Sequence, residues 1–303
     1  YSIKGFVKDA KIDFLKKHEL NKINFLFNIN KNKTNLNKIE LSYNDLKLFF
    51  TNLLIEKNNG EFLVNGESDN KGLLLNKKIT SQFLDTDIFE LKKVNLDTIN
   101  IFSFKITKKL KLNNFKINSK VFVNELVLKN NFKLKSIFPK IKKEIVFQNH
   151  NLEINYGDNK FDIFGNGNIL LQKSNDKISY KIIKKNEKLN FDTLIEIKEN
   201  PLLVSFLNFK NKENIPTKIN LKGYVNKNQN IMINKIFLKN NLSKIRISKI
   251  LFSKDFKVLD LEKAQFNYID AENFENIFEI TNTGKTYILD GKYLNVNNII
   301  EIL

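Results

Sequence analysis

Apolar and polar residues alternate along most of the chain. Ile23, Phe25, Phe27 and Ile29 follow one another at every second position. They alternate with Asn24, Leu26, Asn28 and Asn30, of which three are polar. A period of two places successive side chains on opposite faces of a β-strand. The sequence therefore predicts many strands, each with one apolar face. The same pattern contains Ile39 and Leu41; Phe62 and Val64; Val121 and Val123, with Leu126 and Leu128 one step out of phase; Phe161 and Ile163; Ile219 and Leu221; and Ile245 and Ile247.

Short clusters rich in asparagine and glycine separate these segments. They lie at residues 58–60, 156–159, 226–230 and 282–284. Both residue types accept a positive φ angle, which tight hairpin turns require. Many strands of about five to eight residues, joined by hairpins, predict a mainly β fold with an antiparallel meander.

A few segments also fit helical spacing. Asp270 is a candidate N-cap for a short helix through Glu279, with Phe274 and Phe278 on its apolar side. Two further helices are predicted at Pro201–Leu207 and from Asn295 to the end. The apolar residues of 46–54 fit either period, and strands are favoured there because turns flank the segment.

The chain is predicted to form one elongated β-rich region, 1–303. A boundary between two lobes is indicated near 139–144, where Pro139 precedes a basic run. An apolar residue, any residue and then glycine recur at five places. These glycines indicate either β-bulges and close backbone approaches or simply the ends of hairpins, and the sequence leaves both open. They are Gly5, Gly66, Gly165, Gly223 and Gly291.

The composition supports a folded chain and weakens any inference from charge. Hydrophobic residues make up 42% of the sequence, enough to bury a sizeable core. The net charge of +18 comes from 50 lysines and only one arginine, Arg246, among 49 asparagines and three alanines. This bias matches AT-rich codons. Nucleic-acid binding is disfavoured, because base and phosphate recognition relies on the arginine fork.

The charge is nevertheless uneven. Residues 101–150 contain 12 lysines and two acids, whereas residues 260–303 contain eight acids and three lysines. The basic segment suggests contact with an anionic membrane surface, but a solvated strand face is the favoured reading. The candidate basic residues are Lys105, Lys108, Lys109, Lys111, Lys133, Lys135, Lys140, Lys142 and Lys143.

The residues offer little for catalysis. The two histidines, His18 and His150, have polar neighbours and no metal-ligand spacing, so both are expected in exposed loops. The Gly165–Asn168 segment lacks the rest of a phosphate-binding loop, and Asp85–Asp87 lacks the rest of a calcium loop; both are predicted to be turns. Cysteine is absent. We expect no enzyme activity, no cofactor and no metal site.

The last third of the chain resembles the AsmA-like envelope proteins, and within them the YhdP-like members. The resemblance lies in the Thr217–Gly223 segment after the short apolar stretch 201–207, and in a strand that ends at Gly291 before a predicted helix. Residues 1–80, with Gly5 and the stretch 60–66, show the same order of strands and turns. These motifs consist of alternation and turns, so their specificity is low.

The resemblance implies an elongated, strongly curved antiparallel sheet in the periplasm. It also implies an anchor in the inner membrane, supplied by a segment outside this chain. The implied function is the transfer of phospholipid acyl chains between the inner and the outer membrane. The expected partners are phospholipids, an anionic membrane surface and other envelope proteins. The alternative is a structural or adhesive β-sandwich that binds without lipid transfer, in which the apolar face is a dry core. The residues expected to line the groove are Phe25, Phe27, Phe62, Val64, Phe161, Ile163, Ile219, Leu221, Ile245 and Ile247.

Overall fold

The computed structural model confirms a mainly β fold, with 76% of the residues that it describes in strands. It describes residues 1–14, 18–75, 79, 90–109, 111–130, 134–185, 187–211, 215–226, 230–253 and 257–295. Seventeen strands belong to antiparallel sheet, and two short strands form a separate two-stranded sheet. The strands are β1 (Ser2–Phe14), β2 (His18–Asn30), β3 (Lys33–Tyr43), β4 (Leu46–Asn58), β5 (Glu61–Leu75), β6 (Leu91–Ile106), β7 (Leu112–Lys129), β8 (Glu144–Gly157), β9 (Lys160–Leu170), β10 (Asp176–Lys185), β11 (Lys188–Ile197), β12 (Leu203–Val204), β13 (Phe209–Lys210), β14 (Thr217–Val225), β15 (Ile231–Lys239), β16 (Lys244–Phe252), β17 (Val258–Ile269), β18 (Glu275–Asn282) and β19 (Tyr287–Tyr293).

The chain divides into two compact units. The first contains Tyr1–Lys129 and Phe147–Ile163, and the second contains Asn130–Val146 and Phe164–Leu303. In the first unit, β1 to β7 pair in chain order. In the second, β10, β11 and β14 to β19 do the same, while β12 pairs with β13. Each unit is therefore a meander in which a strand finds its partner nearby in sequence.

Many strands are longer than the predicted five to eight residues. The longest, β7, has 18 residues. The expectation was wrong because a β-bulge shifts the phase of alternation without ending the strand. In β7, Val123 lies opposite Leu96 and Glu125 lies opposite Asn95, which leaves Asn124 as an extra residue. The phase change before Leu126 in the sequence is this bulge.

The hairpin turns occur where asparagine and glycine predicted them. Asn59 and Gly60 have φ angles of 49° and 79°, and Asp158 and Asn159 have 51° and 58°. Two successive positive φ angles define a type I′ turn, whose twist matches the flanking strands. Gly284, at 86°, serves the turn before β19. Of the segment 226–230 only the end residues are described, and they are hydrogen-bonded to each other.

All five recurring glycines lie inside strands, and four of them lie directly opposite a phenylalanine of a neighbouring strand. The pairs are Gly5–Phe27, Gly66–Phe102, Gly223–Phe191 and Gly291–Phe278. A Cβ atom at any of these glycines would overlap its neighbours. The close-approach reading is therefore confirmed for these four, and the hairpin-end reading is wrong. Gly223 and Gly291 also flank register shifts, as expected of bulges. The fifth glycine, Gly165, lies within β9.

The predicted helix from Asp270 to Glu279 is wrong. The Asp270 carboxylate accepts hydrogen bonds from the backbone N–H groups of Glu272 and Phe274, both at 2.9 Å, and so stabilises a tight turn. Asn273 then adopts a φ of 68°, which ends any helical path. The strand β18 follows, because Phe278 stacks on Phe266 of β17 with ring centroids 4.5 Å apart. Cross-strand packing here outweighs a helical spacing that the same residues also satisfy.

The other two helix predictions fare differently. The segment 201–207 contains β12 and a 3-10 turn, Ser205–Leu207, in place of the predicted helix. The turn ends at Asn208, whose φ of 47° is left-handed. The predicted C-terminal helix lies outside the described residues apart from its first residue, Asn295. The prediction for 201–207 is therefore wrong, and the C-terminal one stays a prediction.

The most deeply buried residues of the second unit lie where the segment 198–211 packs against one end of the strands. Leu202 and Phe209 are each 1% exposed, and Ile197 is fully buried. Phe209 contacts Tyr268 edge to face at 5.9 Å, and the Tyr268 hydroxyl donates to the backbone oxygen of Leu207 at 2.9 Å. This segment therefore covers the apolar face at one end of the sheet with a dry core.

Candidate functional site

In the first unit, apolar residues form a continuous row across neighbouring strands. Phe27 lies opposite Leu36, which lies opposite Leu53, and Gly66 and Phe102 continue the row. Residues directly opposite each other in a sheet share a face. A parallel row runs through Ile29, Thr34, Ile55, Val64 and Phe104. The first unit therefore has one apolar sheet face, which we call apolar face 1.

Aromatic rings fill much of apolar face 1. The rings of Phe102 and Phe104 stack at 6.2 Å, and Phe104 lies 6.4 Å from Phe115. On β2, Phe25 and Phe27 meet edge to face at 6.4 Å. The opposite side of the same strands is largely polar. One row there contains Lys4, Asn28, Asn35, Leu54, Asn65, Ser103 and Lys116, and Leu54 is the apolar residue in it. The sheet is thus amphipathic, as the alternation predicted.

The second unit repeats this arrangement over eight strands. Its longest row has one residue from each of β10, β11 and β14 to β19: Ile178, Ile195, Ile219, Leu238, Ile245, Phe266, Phe278 and Gly291. The adjacent row includes Leu221, Ile236, Ile247 and Ala264. We call this apolar face 2. The reverse side carries Lys177, Glu196, Lys218 and Lys239.

Eight of the ten predicted groove residues lie on these two faces. Phe25, Phe27, Phe62 and Val64 belong to apolar face 1, and Ile219, Leu221, Ile245 and Ile247 belong to apolar face 2. Phe161 and Ile163 lie in β9 and are half-buried. Only Val64 and Ile245 are fully buried, at 2% and 4% exposure, and the other eight are half-buried. Most of these side chains therefore keep part of their apolar surface open.

Several residues of the faces were absent from the sequence-based set. Leu36, Ile55, Phe102, Phe104 and Phe115 belong to face 1, and Ile178, Leu238 and Phe266 belong to face 2. Phe102 and Phe104 show the period-two signal and could have been found from it. The others needed the pairing register, which depends on the positions of the turns and bulges.

The predicted basic residues fall into two groups. Lys105, Lys108, Lys109 and Lys111 lie at the end of β6 and in the β6–β7 turn of the first unit, and all four are exposed. Lys135, Lys140, Lys142 and Lys143 are exposed in the second unit. Lys133 lies outside the described residues. The Lys108 side chain passes directly over Gly60, so the basic β6–β7 turn is next to the β4–β5 turn.

His150 is not in an exposed loop. It lies in β8 at 1% exposure, with its ring 5.3 Å from that of Phe147 in an edge-to-face contact. Its polar sequence neighbours were misleading, because alternation turns them to the other face. Burial lowers the pKa of His150, although a backbone contact with Gln148 opposes the shift. His18 begins β2, which also differs from a loop.

The buried His150 predicts a stability that depends on pH. Because the pKa of the folded state is below that of the unfolded state, the neutral ring favours folding at and above the ordinary histidine pKa of about 6.5. We expect the free energy of unfolding to decrease as the pH falls from about 7.5 to 5. His150→Phe should flatten this part of the profile in urea titrations. An unchanged slope in that variant would assign the pH dependence to other groups.

Other candidate sites from the sequence find no support in the part of the chain that the structure covers. The Gly165–Asn168 segment is the middle of β9, where a turn was expected, and Asp85–Asp87 lies outside the described residues. Within those residues, no three or more acidic or histidine side chains are grouped closely enough to hold a metal ion. None of the described helical segments is long and apolar enough to cross a bilayer.

Comparison with known proteins gave no match among protein-family models, curated proteins or solved structures. The resemblance to the AsmA-like family therefore stays a prediction.

Proposed function

We propose that the chain is a non-enzymatic envelope protein that shields phospholipid acyl chains on its apolar sheet faces and moves them between membranes. In this proposal the chain acts in the periplasm, as AsmA-like proteins do. Part of apolar face 2 is a buried core, at Leu238, Ile245, Phe266 and Phe278. The observation that carries the proposal is the half-burial of most apolar residues of face 1, and of Ile178, Ile195 and Ile219 on face 2. A closed sandwich core would bury nearly all of these residues.

The energetics favour an acyl chain as the covering group. Apolar side chains that stay half-exposed keep an unfavourable contact with water. Covering them with an acyl chain would gain about 0.8 kcal/mol for each CH₂ that is buried. Phe25 and Phe27 on face 1, and Leu221 and Ile247 on face 2, offer this surface. The polar reverse side keeps the same strands in contact with water. An acyl chain also needs no specific hydrogen bonds, and the rows present few.

A charge on apolar face 2 separates an open face from a dry core. We expect Leu221→Asp to remain folded, since Leu221 is half-buried, and to lose lipid transfer. Ile245→Asp is the matched variant, and because Ile245 is 4% exposed we expect it to unfold the second unit by burying an unpaired carboxylate. Thermal melts and a vesicle-to-vesicle phospholipid transfer assay measure the two effects.

Photocrosslinking tests occupancy directly. A photoreactive residue at Phe161 or Leu221 should capture phospholipid, whereas one at Lys222, the exposed neighbour of Leu221 on the polar side, should not. If Leu221→Asp unfolds as completely as Ile245→Asp, and neither apolar position captures lipid, the faces are dry cores. The non-transferring binding module would then be the better description.

The exposed lysines of the β6–β7 turn predict salt-dependent binding to anionic vesicles. Replacing Lys105, Lys108, Lys109 and Lys111 by glutamine should weaken this binding, because each lysine near an anionic surface contributes about 1 kcal/mol. Binding of the unaltered chain should fall as salt shortens the Debye length below about 8 Å. The matched variant replaces the exposed Lys8, Lys22, Lys38 and Lys47 and removes the same charge elsewhere in the first unit. Vesicle co-sedimentation gives both results; equal loss in the two variants would mean that only net charge matters.

A further inference from the structure

A pocket of about 710 Å³ lies in the second unit beside the segment 198–211. Its volume is within the range of small-molecule sites. Its lining is mainly polar or charged, and it contains two of the three prolines of the chain, Pro139 and Pro201. The residues around it come from three separate stretches of chain, at 139–140, 173–174 and 199–211. Neither apolar face contributes its rows to this pocket.

Three buried amide side chains tie these stretches together. Gln172 accepts from the backbone N–H of Lys140 at 2.9 Å and donates to the backbone oxygen of Pro201 at 2.8 Å. Asn211 accepts from the N–H of Leu202 at 2.6 Å and donates to the backbone oxygen of Asn200 at 3.1 Å. All three amides are no more than 5% exposed. The walls of the pocket are therefore fixed before any ligand arrives.

The third amide, Asn200, holds the stretch 173–174 in place. Its oxygen accepts from the N–H groups of Lys173 and Ser174, and its nitrogen donates to the Ser174 backbone oxygen and to Asp176. A residue with both amide atoms occupied in this way has no capacity left for a ligand. Asn200 therefore has a structural role in the pocket wall. A ligand would be bound by the other side chains that line the pocket.

Three lysines and one acid are the charged residues among those that line the pocket. Lys140 and Lys173 have their own backbone N–H groups held by Gln172 and Asn200, and Lys210 is held in β13 by its pairing with Leu203. All three lysine side chains are exposed, and Glu199 is the single carboxylate among the lining residues. The lining therefore has more positive than negative charge, and the three lysines lie on separate segments whose backbones are held in place. Such a site favours the binding of a compact multivalent anion.

We propose that this pocket binds a phosphate group, either free or on a small phosphomonoester. Lysine ammonium groups bind phosphate oxygens as point charges, and this pocket is lined by three lysines from separate segments. The proposal rests on the pocket alone and does not depend on acyl chains occupying the apolar faces. A lipid headgroup and a free phosphate share this chemistry, so the experiment separates them.

The experiment follows individual lysines in the full chain. Reductive ¹³C-methylation gives each lysine an NMR signal, which single Lys→Gln variants assign. Inorganic phosphate, glycerol phosphate and dihexanoyl phosphatidic acid are titrated in turn, with glycerol as the uncharged comparison. We expect saturable shifts at Lys140, Lys173 and Lys210 with each phosphate compound and none with glycerol. Tighter binding of the short-chain lipid than of glycerol phosphate would identify a lipid headgroup as the source, and equal binding would identify a free phosphate.

Two triple variants complete the test. Lys140→Gln, Lys173→Gln and Lys210→Gln together should weaken glycerol phosphate binding at least about tenfold. The matched triple variant at Lys142, Lys143 and Lys239 removes the same charge from exposed positions of the same unit, outside the pocket, and should bind normally. Thermal melts confirm that both remain folded. Shifts spread over lysines in general, equal weakening in both triples, or no saturable shift with any phosphate compound would overturn the proposal.

Discussion

Gly223→Ala is expected to destabilise the second unit by about 3 kcal/mol, the largest effect that we expect from a single methyl group. The added Cβ would overlap the backbone oxygen of Met232 and would lie 2.9 Å from both the Ile233 Cα and the Phe191 Cζ. Two of these atoms belong to the backbone of β15, which is hydrogen-bonded on both sides. The strand cannot move aside without losing one of its ladders. Urea unfolding followed by circular dichroism measures the change.

Gly5→Ala provides the matched control. There the three atoms nearest to the added Cβ are all ring atoms of Phe27, at the far end of a side chain that can rotate. Phe27 is half-buried on the strand next to β1, so its ring has room to turn. We expect a loss of about 1 kcal/mol. Equal losses at Gly5 and Gly223 would show that the phenylalanine ring, and not the backbone of β15, decides the cost.

Asn200→Ala is expected to cost about 4 kcal/mol. The substitution removes the partner of two backbone N–H groups, of the Ser174 oxygen and of the Asp176 carboxylate, all in a part-buried or buried setting. Each polar group left buried without a partner costs about 1 to 3 kcal/mol, and part of this loss is recovered by local relaxation. The loss should appear in the unfolding free energy of the second unit.

The pH dependence of this loss identifies its cause. Burial raises the pKa of Asp176, and the hydrogen bond from Asn200 opposes that shift by favouring the ionised form. Removing Asn200 raises this pKa further, so the ionised carboxylate costs more in the folded state. The destabilisation should therefore be larger at pH 7 than at pH 4, where much of the carboxyl population is protonated in both states.

Asn220→Ala provides the comparison. It removes a half-buried amide that donates to the Asp192 carboxylate and to the backbone oxygen of Thr193, and it should lower the free energy of unfolding by about 1 kcal/mol.

Local sequence signals predicted much of this fold. Alternation identified the strands that contain Phe25, Phe62, Ile219 and Ile245, because one face of each strand is largely polar and the other is apolar. Asn59 and Gly60 identified their turn because few other residues accept two successive positive φ angles. The glycine pattern also had structural meaning, since Gly66 and Gly223 receive rings from the next strand. These features depend on neighbours in the sequence or on a single strand pair.

The errors arose where distant contacts decide. Phe274 and Phe278 fit a helix by spacing, but Phe278 stacks on Phe266, which the local pattern around Asp270 does not reveal. His150 has polar neighbours in sequence, yet it is 1% exposed in β8, and its local sequence does not reveal this burial. The phosphate-binding pocket was missed because Lys140, Lys173 and Lys210 are far apart in sequence. The buried amides of Gln172, Asn200 and Asn211 help to bring their segments together, and the sequence pattern does not reveal these contacts.

The pairing of strands in chain order has a consequence for how the molecule folds. In each unit most ladders join strands that a short turn connects, so loop closure costs little entropy and contacts are local for a β protein. As the chain leaves the ribosome, each new strand meets a partner strand that is already complete. The sheet can therefore grow by one hairpin after another, in the order of synthesis. The strand β19, exposed along its whole length, would then be among the last to join and the first to exchange its amide protons.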